Sequence, residues 1–351
     1  MTAAIDSGSG KLSADDQVAK IFAWRRGFNA IHLIDLGIEV GLFRAFAETP
    51  DSSPEAIARR LSLHAPYVEV WCKTAYGFGL LEADTLARYR LAPHFDQILA
   101  SPTHPRYLGG YVRLGTEFAA EDFRRCRDAF RDGLSLPFQG RSHAFADVIG
   151  EAIGGLHVVT ARKLLPELGE LKARLEAGAA VLEVGCGTGR FLRQLAKAWP
   201  AAHCTGVDID PSGLAIARES VTAAGIGDRV RVIDGDVAAA GPAASFDAVV
   251  MIEVLHEIAP ALRQTVIDAC AQALKPGGWL LIVDETYPST LEEMRQPEFQ
   301  FPLQTGFEEL VWGNVIPTRE EQDALLRHAG FSRTVQRGLI GEGFTVLSAQ
   351  R

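Results

Sequence analysis

Apolar and polar residues follow two different rhythms along the chain, and the change comes near residue 179. Residues 15–48 carry apolar positions at helical spacing (Val18, Ile21, Phe22, then Ile31, Ile34, Leu36, Ile38, Val40, Leu42, Phe43), which predicts two helices joined near Gly27. Ser52-Ser53-Pro54-Glu55 supplies a hydroxyl cap, a first-turn proline and a capping-box glutamate for a short helix ending near Leu63. A second helix is predicted over 66–78, followed by two short strand-like runs at 80–82 and 89–91 around a polar turn. Residues 101–178 read mainly as helices, over 118–130 and 145–168, with Pro137 and Gly140 marking the break. From 179 onward, short continuously apolar runs (181–184, 204–207, 230–233, 248–251, 279–283) alternate with amphipathic helical stretches (191–198, 213–223, 262–274). That alternation predicts an α/β fold with a parallel sheet covered on both faces, whose ligands sit at the C-terminal strand edge. A helix over 318–329 and strand-like runs at 333–340 and 344–349 complete the chain.

These patterns divide the chain into a tail at 1–14, a mainly helical domain at 15–100, a helical connector and substrate cap at 101–178, and an α/β domain at 179–351. The tail is rich in Ser, Gly and Asp and is expected to be disordered, not a signal peptide. Helix, turn, helix and hairpin in 15–100 make a winged-helix-like arrangement, which raises a DNA-binding reading. Charge argues against it. Over 51–100 five Lys/Arg face six Asp/Glu, and the would-be recognition helix offers only Lys73 against Glu69 among Val68, Val70, Trp71 and Tyr76. The whole chain carries a net charge of −9, the wrong sign for a general nucleic-acid or anionic-membrane binder. Five scattered cysteines without a Cys-x-x-Cys pair imply free thiols in a reducing compartment, and no apolar run approaches membrane-spanning length, so a cytoplasmic protein is expected.

The chemistry centres on Val181-Leu182-Glu183-Val184-Gly185-Cys186-Gly187-Thr188-Gly189-Arg190. A strand meeting three glycines at alternate positions, then a helix, lets a ligand approach main-chain N–H groups beside the positive end of a helix dipole. This geometry holds an adenosine-containing cofactor. The dinucleotide fingerprint needs its third glycine one residue later, where Arg190 stands, so the pyrophosphate pattern does not apply. Thr205-Gly206-Val207-Asp208 reads as a second strand ending in a carboxylate 19 residues beyond Gly189, where it can accept both ribose hydroxyls.

The Glu183 to Gly189 spacing, with Asp208, resembles the first motif of the class I S-adenosylmethionine-dependent methyltransferases. The winged-helix-like region, the helical connector and the Leu255-His256-Glu257 run after the fourth strand narrow the resemblance to small-molecule O-methyltransferases of natural-product pathways, over nearly the whole chain. It implies a Rossmann-like seven-stranded core binding S-adenosyl-L-methionine and releasing S-adenosyl-L-homocysteine. The cofactor contacts implied are Glu183, Gly185, Gly187, Gly189, Asp208, Asp236, Val237 and Glu253, with Asp236 at the adenine amino group. His256 matches the family's general base, Glu257 takes the acid's place in its His-acid pair, and Glu285, from Val283-Asp284-Glu285, is chosen as the acid that orients the histidine. A homodimer formed through the N-terminal helices is implied too.

A base with a pKa near 6.5 suits removal of a phenol or alcohol proton, and positioning supplies much of the rest of the acceleration. Two departures from the family stand out: Ile258 replaces the usual tryptophan, and the segment 313–318, which corresponds to the stretch that bears the family's second histidine-supporting glutamate, has no acid. Transfer to carbon, nitrogen or sulfur therefore stays open, as does a regulator that senses S-adenosylmethionine and binds DNA. The acceptor pocket is expected against Tyr107, Tyr111, Phe118, Phe123, Phe299, Phe301, Phe307 and Trp312, with Trp312 and the run from Phe299 to Phe301 in an irregular segment as the leading walls. The remaining histidines are dispersed without metal-ligand spacing, and no metal is expected.

Overall fold

The structure, a computed structural model, describes residues 12–133, 135–331 and 335–351; residues 1–11, most of the expected tail, and the first part of the strand expected at 333–340 lie outside the described residues. The chain divides into two compact units, Met1–Pro102 and Thr103–Arg351.

In the first unit a single helix, Ala14–Glu39, runs through Gly27, where the sequence predicts a break. A lone glycine costs a helix interior only about 1 kcal/mol relative to alanine, too little to interrupt a segment opened by the Ser13–Asp16 capping box. Helices Leu42–Glu48, Pro54–Leu61 and Ala65–Gly77 follow, then strands β1 (Leu81–Ala83) and β2 (Tyr89–Leu91), an antiparallel pair with Glu82 opposite Arg90. Their core gathers Phe43, Phe46, Ile57, Trp71 and Leu81, and the indole N–H of Trp71 donates to the Leu33 carbonyl at 2.9 Å. Along this long helix Val18, Ile21, Phe22, Trp24 and Phe28 are all more than half exposed.

The second unit holds a seven-stranded sheet made of β3 (Ala180–Val184), β4 (His203–Asp208), β5 (Val230–Asp234), β6 (Phe246–Ile252), β7 (Leu274–Asp284), β8 (Gln336–Ile340) and β9 (Phe344–Gln350). Strand order is β5-β4-β3-β6-β7-β9-β8, with β9 antiparallel to both β7 and β8 and the other pairs parallel. Alternation along each buried strand sorts side chains to two faces. Val181, Val250, Leu281 and Val283 pack with Phe191, Leu192 and Leu214 on one side, while Leu182, Val249, Met251 and Ile282 pack with Ile267 and Leu326 on the other. Helices therefore cover both faces, as the unbroken apolar runs predict. Before the sheet come helices Gly109–Arg113, Ala120–Asp132, His143–Ala152, Gly154–Val159 and Leu171–Ala177; among the described residues no single helix is long and apolar enough to cross a membrane.

Topology places the site. The chain builds β3, β4 and β5 outward in one direction, then returns to add β6 on the other side of β3. Loops leaving the C-terminal ends of β3 and β6 therefore diverge, and the crevice between them is where doubly wound sheets bind ligands.

Candidate active site

The turn after β3 is held by backbone bonds to the next strand. The N–H groups of Gly185 and Cys186 both donate to the Val207 carbonyl (2.9 and 3.0 Å), and Gly187 N–H donates to Asp208 Oδ2 at 2.7 Å. Gly185, Gly187 and Gly189 have φ of 69°, 47° and 69°, the left-handed region that side chains with a Cβ rarely adopt. Their surroundings differ. A Cβ at Gly185 would lie 2.4 Å from Val254 Cγ2, whereas one at Gly187 would meet nothing within 4 Å. The turn is thus packed against the β6 loop at one end and open at its tip.

Asp208 ends β4 and also accepts from Asp210 N–H at 2.8 Å, which leaves part of its acceptor capacity unused. Glu183, 2% exposed, has an Oε2 with no partner, and burial next to Asp208 pushes its carboxyl well above the usual range. Thr188 Oγ1 is likewise buried without a partner. Asp236 caps the short turn Val237–Ala240 by accepting from Ala238 N–H at 3.0 Å, and Val237 is buried beneath it.

The loop after β6 carries Glu253, His256 and Glu257. Glu253 is a non-glycine residue at φ 56°, its N–H bound to the Val283 carbonyl at 2.8 Å and its Oε1 buried without a partner. Strain and an orphaned carboxylate oxygen on one residue are marks of a functional position. His256 is 3% exposed, with Nδ1 2.7 Å from Asp284 Oδ1 and Nε2 3.5 Å from Glu309 Oε2. Asp284 also accepts from the N–H groups of Val254 (3.1 Å), Leu255 (2.7 Å) and Glu285 (2.7 Å). Burial opposes a charge on His256, but Asp284, Glu309 and Glu253 outweigh it and hold the imidazole pKa well above its usual value.

Three expectations change here. The acid against the histidine ring is Asp284, not Glu285; Glu285 accepts from Thr305 Oγ1, and burial lifts its carboxyl to about 7. Neighbouring residues at a strand end point to opposite sides, so two consecutive acids cannot both face one ring. Glu257 sits in the same loop, its N–H donating to the Val254 carbonyl and its carboxyl interacting with His256 through the field, without a side-chain hydrogen bond to the ring among the described residues. A second acid does reach the ring, from Glu309. It lies upstream of 313–318 on the helix Gln300–Trp312, and Asn314 Nδ2 holds its Oε2 at 2.8 Å. A Glu-x-x-x-x-Asn pair spanning a glycine helix stop was the available signal.

The aromatic residues part company as well. Tyr111 lies 6.3 Å from Phe301 in a tilted pair and accepts from Gln304 Nε2 at 2.9 Å; Phe301 in turn packs on Phe344. Tyr107 is buried, and Phe299 caps the start of the Gln300–Trp312 helix. Trp312, expected to line the pocket, is a core residue: its ring packs on Phe138 and Phe145 and its N–H donates to Asp122 Oδ2 at 2.8 Å. The segment expected to be irregular is helical, which turns Trp312 inward. Phe118 packs on Phe145, and Phe123 stacks on Phe307.

Followed by NMR, the His256 ring is expected to titrate above 6.5 and to fall toward that value in Asp284→Asn. A midpoint at or below 6.5 in the unaltered protein would contradict this charge arrangement.

Comparison with known proteins agrees with the geometry. Residues 181–278 match a family model described as a methyltransferase domain. The chain is 27% identical over 289 residues, 80% of each partner, to a 3-hydroxy-5-methyl-1-naphthoate 3-O-methyltransferase of Streptomyces sahachiroi. Among solved structures it resembles an O-methyltransferase family protein from Burkholderia thailandensis (TM-score 0.72, 20% identity, 97% of this chain and 98% of that one). It also resembles human N-acetylserotonin methyltransferase in complex with S-adenosylmethionine (TM-score 0.72, 20% identity, 98% and 99% covered). Residues 181–278 thus match a methyltransferase domain, within a chain that shares its fold with these solved structures.

Proposed function

We propose that this protein transfers the methyl group of S-adenosylmethionine to an oxygen of a small aromatic acceptor, with His256 as the general base. The observation that carries the reading is the buried His256 ring, flanked by Asp284 at 2.7 Å and Glu309 at 3.5 Å at the sheet's switch point. The residues present fit the cofactor. The open tip at Gly187, the spare acceptor capacity of Asp208 and the unpartnered oxygens of Glu183 and Glu253 are what a ligand with ribose hydroxyls, an amino group and a sulfonium would use. Gly185 and Gly189 shape the turn, and Asp236 and Val237 border the adenine side.

When bound, S-adenosylmethionine supplies an electrophilic methyl group. The chain supplies the rest. Asp284 accepts a hydrogen bond from Nδ1–H of neutral His256 and so leaves the Nε2 lone pair for the acceptor hydroxyl. Once Nε2 takes that proton, the imidazolium lies between two carboxylates, Asp284 and Glu309, in a buried setting where such pairing counts most. Glu285, whose carboxyl is lifted to about 7 by burial, accepts from Thr305 Oγ1 and so ties the end of β7 to the helix Gln300–Trp312 that carries Glu309. Tyr111 and Phe301 form an aromatic wall suited to a flat ring. The O-methyltransferase names of the relatives, one acting on a hydroxynaphthoate, support the same acceptor class. Its five buried, unbridged thiols support a cytoplasmic setting.

His256→Ala is expected to keep its affinity for S-adenosylhomocysteine and to lose turnover by at least about tenfold. The base works only when neutral, so activity should rise with pH through the raised His256 pKa. Unchanged turnover would remove the base role.

The exposed Val18, Ile21, Phe22, Trp24 and Phe28 along Ala14–Glu39 support a homodimer formed through this helix. Light scattering should give about twice 38.0 kDa for the native chain and a monomer for Ile21→Asp; a native monomer would refute the dimer.

A further inference from the structure

The loop that presents His256 is held from the front by Asp284. From behind it is held by a residue that neither motif nor family resemblance singles out. Arg263 stands in the first turns of the helix Pro260–Ala273 and is 2% exposed. Its guanidinium makes its bonds to backbone carbonyls: Nε donates to Ile258 O at 3.0 Å, and Nη2 donates to His256 O at 3.3 Å and to Val315 O. Its acidic neighbours, Glu321 and Asp284, act only through the field, and burial lowers its pKa without neutralising it.

Among the described residues Arg263 forms no ion pair; a buried cation of that kind is costly, and an apolar side chain would pack this helix more cheaply. What the guanidinium joins explains its presence. Two of the carbonyls belong to the loop 253–259 and the third to the segment 313–318, which also carries Asn314, the residue that holds Glu309. Val315 N–H completes the link by donating to His256 O at 3.4 Å. One planar fork therefore ties the backbone of the histidine to the backbone that fixes the glutamate facing its other nitrogen. A lysine, a single point donor, could not span three carbonyls in the same way.

We propose that Arg263 is a positioning residue for the methyl transfer: by clamping the carbonyls of His256, Ile258 and Val315 it sets the imidazole of His256 in register with Glu309. The proposal rests on the reading of His256 as the base, but its test does not need turnover. Full-length protein carrying 15N-labelled histidine would be titrated as wild type, Arg263→Met and Arg263→Lys, with S-adenosylhomocysteine binding as the check of folding. In Arg263→Met, the His256 midpoint should drop by about one unit toward 6.5 as Glu309 and Asp284 lose their grip, with Arg263→Lys in between. S-adenosylhomocysteine affinity should stay within about threefold. His157, pressed down to about 3 by burial and by Arg190 and Arg193, should stay neutral throughout and serve as internal reference. A His256 midpoint in Arg263→Met within about 0.2 unit of wild type overturns the clamp. If Arg263→Met does not bind S-adenosylhomocysteine, Arg263→Lys decides by the same criterion. Retained turnover in His256→Ala would overturn the base reading alone, leaving the clamp to stand or fall on the spectra.

Discussion

One buried carboxylate organises the catalytic edge of this sheet. Asp284, 1% exposed at the end of β7, accepts from three backbone N–H groups and the His256 ring, and in doing so pins the start of the β6 loop against the strand beside it. Its charge then fixes the histidine tautomer and raises the histidine's affinity for a proton. Glu253, at φ 56°, brings a carboxylate oxygen within 4.8 Å of a His256 ring nitrogen and an Asp284 carboxylate oxygen.

Around this hub the site is crowded with acid. Glu183, Glu253, Glu257 and Glu285 are all pushed up, each chiefly by burial, while Asp284 and Glu309 are the carboxyl groups placed against the two ring nitrogens of His256. An arriving sulfonium would meet this surplus of acceptors, while the acceptor hydroxyl must compete for the one imidazole. The long helix of the first unit has the opposite character: its exposed residues Val18, Ile21, Phe22, Trp24 and Phe28 are apolar.

Much of this was legible in the sequence because it is written locally. The glycine turn, Asp208 at its fixed distance and the alternation of buried strands with amphipathic helices each depend on near neighbours in the chain, and His256 follows from its place after the fourth strand. What was not legible depends on orientation or on distant packing. Asp284 and Glu285 are adjacent acids, and only the pleat of β7 decides which one meets the ring. Glu309 and Trp312 lie on a helix whose prolines made it read as irregular; once it is helical, Glu309 reaches the histidine and Trp312 turns into the core. Arg263 was invisible for a related reason. Its partners are carbonyls, which carry no side-chain signature.

The most direct test of the account is transfer of a labelled methyl group from S-adenosylmethionine to a metabolite extract, with wild type and Asp284→Asn compared side by side and the labelled product fragmented to locate the methyl. The account predicts label on oxygen in wild type, and a rate lower by roughly 10²-fold or more in Asp284→Asn while S-adenosylhomocysteine still binds. Label on carbon or nitrogen, or equal rates in the two proteins, would contradict it.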